Sequence, residues 1–131
     1  MVKIKVILPQ GVKIDKECDS VTIPGLDGDF AVLEGHTSMI SILRPGVMTI
    51  DIKKNSDNYA MHDGFVTIED NLVTVVCERM ETKTEIDKER TDKALDRAKK
   101  RLADVNSKEI DFRRAELSLR RALTRITVLS E

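Results

Sequence analysis

The strongest constraint in this sequence is a change of hydrophobic period near residue 83. Before it, apolar and polar residues alternate. Val2, Ile4 and Val6 share one face of "VKIKV" against Lys3 and Lys5. Met48, Ile50 and Ile52 stand against Thr49 and Asp51, and Val73, Val75 and Cys77 against Thr74. A period of two is the mark of strands with one buried face. Turn signals at "PQG" (9–11), "PGLDGD" (24–29), "RPG" (44–46), "NSDN" (55–58), "HDG" (62–64) and "EDN" (69–71) cut this stretch into short pieces. Residues 1–83 therefore read as an antiparallel sandwich or barrel.

Beyond residue 83, "IDKERTDKALDRAKKRLADV" holds neither Pro nor Gly, and Ala94, Ala98, Leu102 and Val105 recur at helical spacing. Glu89–Lys93 and Asp96–Lys100 are acid-first pairs that support a helix. "NSKE" interrupts, and a second stripe follows: Phe112, Ala115, Leu119, Ala122, Ile126 and Leu129. Alanine on both stripes lets two helices pack closely as a hairpin over 84–131. Helices of this length are marginal alone in water, so they must lean on each other, on the sheet or on a partner. That makes the hairpin a candidate movable element.

With 131 residues, the chain is one domain, or a small domain with an appendage. It has no tryptophan and an aromatic fraction of 3%, so its core is aliphatic. The net charge of −1 hides an asymmetry: residues 1–83 sum to −4 and residues 84–131 to +3. Neither value singles out nucleic acid or an anionic membrane. The basic run "RAKKR" has acids at pairing distance and no interleaved aromatics, so it reads as a solvated helix face. Cys18 and Cys77 lack metal-ligand spacing and read as two reduced thiols. No apolar run approaches the ~20 residues that cross a bilayer. The alternating start "MVKIKVILPQ" is unlike a signal peptide, which points to a cytosolic compartment.

No catalytic constellation is present: no phosphate-binding glycine loop, no serine elbow and no zinc-protease helix. Asp27, Asp29 and Glu34 lie in a turn-rich stretch where solvated acids are ordinary. His62 precedes a "DG" turn signal and reads as a surface residue. His36, after Gly35, either closes a turn or serves a contact.

Several stretches carry a family resemblance through their order and spacing. "VTIPGLDGDFAVLEGHTSMI" is similar to V-x-x-P-G-x-x-G-x-x-x-V-x-x-G-H-x-P-L, and "PGVMTI" to the strand that follows it. "HDGFVTIEDNLVTVVCE" is similar to a G-G-F strand pair, "IDKER" to an I-D-x-x-R-A helix start, and "FRRAELSLRRALTRI" to an A-x-x-x-L-x-x-A-x-x-R helix. Over nearly its whole length the chain resembles the epsilon subunit of bacterial rotary (F-type) ATP synthases, the counterpart of the mitochondrial delta subunit. It departs at Ser38 and Met39 (usually Pro-Leu), at Asp63 (usually Gly) and at Thr91 (usually Ala).

The resemblance implies an α+β fold: an N-terminal ten-stranded antiparallel β-sandwich over 1–83, then a C-terminal α-helical hairpin over 84–131. It implies a non-catalytic rotor subunit that couples ion-driven c-ring rotation to ATP synthesis. Such a subunit lies peripherally on the cytoplasmic side of the cell membrane, with no direct insertion. Its partners are the gamma subunit and the c-ring, reached here through Asp29 and His36. When the helices extend they meet the catalytic alpha and beta subunits and restrain hydrolysis, a task suited to Arg113, Arg114 and Arg125. No cofactor is implied beyond regulatory ATP, held by Ile86, Asp87 and Arg90 with Arg120 and Arg121. Read from the residues alone, Asp87 also fits a helix N-cap and the arginines a solvated surface. A stand-alone nucleotide-sensing module is the alternative reading.

Overall fold

The computed structural model describes residues 1–103 and 109–130, the latter with backbone only at 109–112 and 130. Val105, the "NSKE" interruption before Glu109 and the side chain of Phe112 lie outside the described residues. The strands are β1 (Val2–Leu8), β2 (Gly11–Cys18), β3 (Ser20–Gly25), β4 (Gly28–Val32), β5 (Met39–Leu43), β6 (Gly46–Ile52), β7 (Asn55–Glu69) and β8 (Leu72–Glu81). The helices are α1 (Lys88–Ala103) and α2 (Glu109–Ser130).

One layer runs β2-β1-β8-β7-β5, with β1 parallel to β8 and its other neighbours antiparallel. The other runs β4-β3-β6-β7. Strand β7 joins them, pairing with β6 through residues 55–61 and with β5 through residues 64–68. Between the layers lies an aliphatic core in which Ile4, Val6, Ile23, Met48, Ile50, Val66 and Val75 are fully buried. The inward positions of the period-two reading are the ones that fill it. Removing that apolar surface from water is the main force holding the layers together.

The described residues form eight strands, not the ten that the resemblance implied. The "HDG" stretch is not a turn. Asp63 takes a left-handed φ of 51°, which bends β7 while the ladder to β8 keeps its register from His62↔Arg79 to Gly64↔Cys77. Gly64 makes the close approach possible, since a Cβ there would lie 2.1 Å from the Val76 carbonyl oxygen. "NSDN" is likewise strand: β7 starts at Asn55, and the turn falls just before it, where Lys53 has φ 56°. Because β7 continues through residue 62, His62 points to the same side as Ala60 and is buried at 3% exposure. The surface position expected for it is thereby corrected.

Helix α1 starts where the Asp87 carboxylate accepts the Arg90 N–H at 3.1 Å, the N-cap arrangement. Glu89 in its first turn and Lys100 and Arg101 in its last suit the helix dipole. Ala98, Ala115 and Ala122 are buried, as close helix packing requires. Helix α2 lies against β6 and β7. Its apolar contact with the sandwich is a small cluster of Val128, Ala60 and Ile86, flanked by Val47 and Leu129.

Candidate functional site

Asp29 is the second residue of β4, and His36 lies in the loop beyond its end. The Asp29 carboxylate accepts the Arg44 guanidinium at 2.6 Å, while Arg44 also donates to the Gly25 carbonyl. This pair ties the β3–β4 turn to the β5–β6 turn. At His36 the loop is closed from several sides. Gly35, at φ 82°, donates its N–H to the Asn71 side chain at 2.7 Å, and the His36 N–H donates to the Leu33 carbonyl at 3.1 Å. Nδ1 of His36 sits 2.7 Å from the Thr37 carbonyl, so that nitrogen carries the proton and donates it. His36 thus does close a turn, and its half-exposed ring also faces outward beside Phe30.

A second surface has no counterpart in the residues singled out from sequence. Ile42, Phe65, Val76, Ile7 and Val12 form a cross-strand row over β5, β7, β8, β1 and β2. Ile42 is 60% exposed, Phe65 44% and the neighbouring Ile40 76%. Exposed apolar patches mark sites of protein or membrane contact, or ligand grooves. The signal was in the sequence. "MISIL" is apolar at both parities, where a strand with one solvated face alternates.

The third feature is a cleft of about 610 Å³ bordered by β8, the linker and both helices. Arg79, Arg90, Lys93, Arg97 and Arg125 line it together with Glu81, Glu85 and Asp87. Beyond its N-cap bond, Asp87 accepts the Thr91 N–H (3.0 Å) and hydroxyl (2.8 Å) on its carbonyl. The extra hydroxyl of Thr91 is therefore satisfied although the residue is buried. Ile86, 7% exposed, is a plug in the small apolar cluster and not part of the cleft lining. Arg120 pairs with Glu116 along the α2 surface at 2.8 Å, away from the cleft. Arg121 reaches Asp63 on β7 at 2.6 Å. Arg113 and Arg114 are exposed on the first half of α2. The structure thus gathers Asp87, Arg90 and Arg125 at the cleft and leaves Ile86, Arg120 and Arg121 elsewhere.

Glu81 is the electrostatic centre of the region. Burial works against its charge. Hydrogen bonds from His62 Nε2 (3.1 Å) and Arg125 Nε (2.7 Å), with the charge of Arg125, more than reverse that and hold its pKa at about 2. Lys13 on β2 sits 2.7 Å from Glu85 and holds that carboxyl below its usual range. Sequence reasoning missed Glu81 and Lys13. Arg125 is 44 residues from Glu81, and Glu85 is 72 from Lys13, so no local pattern connects either pair.

The family model described as "ATP synthase, Delta/Epsilon chain, beta-sandwich domain" matches residues 1–83. The model for the long alpha-helix domain of the same chain matches residues 84–130. The ATP synthase epsilon chain of Desulforudis audaxviator (strain MP104C) is 40% identical over 101 residues, covering 77% of this chain and 74% of that one. The epsilon chain of Helicobacter pylori (strain ATCC 700392 / 26695) is 34% identical over 108 residues, covering 82% and 86%. Among solved structures, a chain of the Euglena gracilis mitochondrial ATP synthase OSCP/F1/c-ring shares the fold. Its TM-score is 0.85 at 22% identity, with coverage of 98% of this chain and 81% of that one.

Proposed function

From the premise that this chain belongs to the epsilon-chain family of the F-type ATP synthase, we propose that it is a non-catalytic rotor subunit of the central stalk. In this reading the sandwich couples c-ring rotation to ATP synthesis, and the hairpin restrains ATP hydrolysis. The carrying observation is the outward apolar row Ile42–Phe65–Val76–Ile7–Val12, which needs a protein cover. Gamma supplies that cover, and the loops with Asp29 and His36 meet gamma and the c-ring. Among the described residues no helix is long and apolar enough to cross a membrane. Attachment on the cytoplasmic side of the cell membrane then runs through those partners. When the hairpin extends, Arg113, Arg114 and Arg125 face the catalytic alpha and beta subunits.

The test is reconstitution with the full chain and with residues 1–83. The fragment is expected to copurify with gamma, because its core closes on itself, and to release hydrolysis from restraint. Hydrolysis unchanged at every ATP concentration and ionic strength removes the inhibitory role. Ile42→Glu is expected to abolish copurification. Asp29→Arg with His36→Ala is expected to weaken assembly while stability moves by only about 0.5 kcal/mol, as for other surface substitutions.

The cations of the cleft support the reading that it takes regulatory ATP. Arg90, Lys93 and Arg97 offer α1 cations to phosphates, and guanidinium forks suit phosphate oxygens. Asp87 holds the start of that helix in place. Calorimetry of the full chain with millimolar ATP is expected to show binding that Arg90→Ala abolishes. Absence of heat in the unmutated chain, or equal binding by the variant, removes the nucleotide from this cleft.

A further inference from the structure

We propose that Asp63, His62 and Glu81 form an ionic catch that holds α2 against the sandwich with no nucleotide bound. Arg121 and Arg125 are one helical turn apart, so both reach the sheet from the same side of α2. Arg121 donates to the Asp63 carboxylate at 2.6 Å, and Arg125 Nε donates to Glu81 at 2.7 Å. His62 Nε2, at 3.1 Å, meets the same Glu81 oxygen from β7. Two strands of the sandwich are thereby fastened to one helix.

The catch is well placed to decide docking because the apolar contact beside it is thin. Val128, Ala60 and Ile86 are its only buried apolar members among the described residues. The inner pair is drier, with Arg125 15% and Glu81 19% exposed, so its hydrogen bond is screened less by water. The Arg121–Asp63 pair is more open and works as an outer fastening. Two α2 arginines are thus engaged by carboxylates of the same chain. The inference rests on reading the hairpin as movable. It differs from nucleotide control in assigning the closed state to the protein's own charges.

The test uses the full chain carrying spin labels at Ser56→Cys and Thr127→Cys, exposed positions on β7 and α2 near the Val128 contact. Without nucleotide at low ionic strength, a single short distance is expected. Asp63→Asn with Glu81→Gln is expected to raise the undocked fraction about tenfold, the effect of losing charge-assisted hydrogen bonds. The exchange Asp63→Arg with Arg121→Asp, Glu81 being kept, is expected to restore the short distance that Arg121→Asp alone loses. Far-ultraviolet circular dichroism confirms that the sandwich stays folded in each variant. A chain that docks only after ATP is added overturns the proposal. So does unchanged docking in the double variant, or failure of the exchanged pair to restore it. Loss of the restraint on hydrolysis in the assembled enzyme would leave these distances unaffected, so the two readings fail separately.

Discussion

Replacing Ile50 by alanine is expected to lower the unfolding free energy of the chain by about 2–5 kcal/mol. Ile50 sits at the centre of β6, fully buried, between Val21 on β3 and Asp57 on β7. Strand β6 connects those two strands within its layer, so its neighbours on both sides are held by ladder hydrogen bonds. They have little freedom to collapse into the space left by three missing carbons. The loss therefore contains both the transfer free energy of those carbons and a cavity term. A domain of this size has only about 5–15 kcal/mol in total, so the substitution removes a large share. Urea unfolding reads it as a lower midpoint with an unchanged slope. A change below about 1 kcal/mol would contradict the place of Ile50 in the core.

Acid is expected to weaken the hairpin's attachment through Glu81. Its folded pKa, about 2, lies below the ordinary value of 4.5. A depressed carboxylate adds stability above the unfolded value and loses it as pH falls through the folded one. The window is therefore from about pH 5 down to about pH 2. The groups that set it are Arg125 on α2 and His62 on β7, with Arg79 on β8 also lining the cleft. With Glu81 about four-fifths buried, the contribution is about 2–3 kcal/mol. The check compares the unmutated chain with Glu81→Gln at pH 7 and at pH 3. The stability gap between them is expected to shrink at the lower pH, while other acids titrate alike in both. A gap that is constant or widens would contradict the assignment.

The positions that face the core were legible from the sequence because side-chain direction in a strand depends only on parity. Val2, Ile4, Val6, Met48, Ile50, Val73 and Val75 are apolar at alternate positions, and the structure buries them all. The change to helical spacing was legible for the same reason: it is a local period, visible without knowing any neighbour. The N-cap role of Asp87 followed from its place before an uninterrupted helical stretch.

The tertiary structure alone decided how β7 behaves and what the hairpin touches. "DG" favours a turn in isolation, yet the ladders that β7 makes on either side of Asp63, to β6 and β5 and to β8, continue the strand past it. That override turned His62 from the surface into the interface beneath α2. The cleft and the catch depend on pairs such as Glu81–Arg125 and Asp63–Arg121, separated by 44 and 58 residues. Periodicity sets which face a residue presents, because that is fixed by the residues beside it. Which charge it meets is set by how separate elements pack, and that information exists only once the chain has folded.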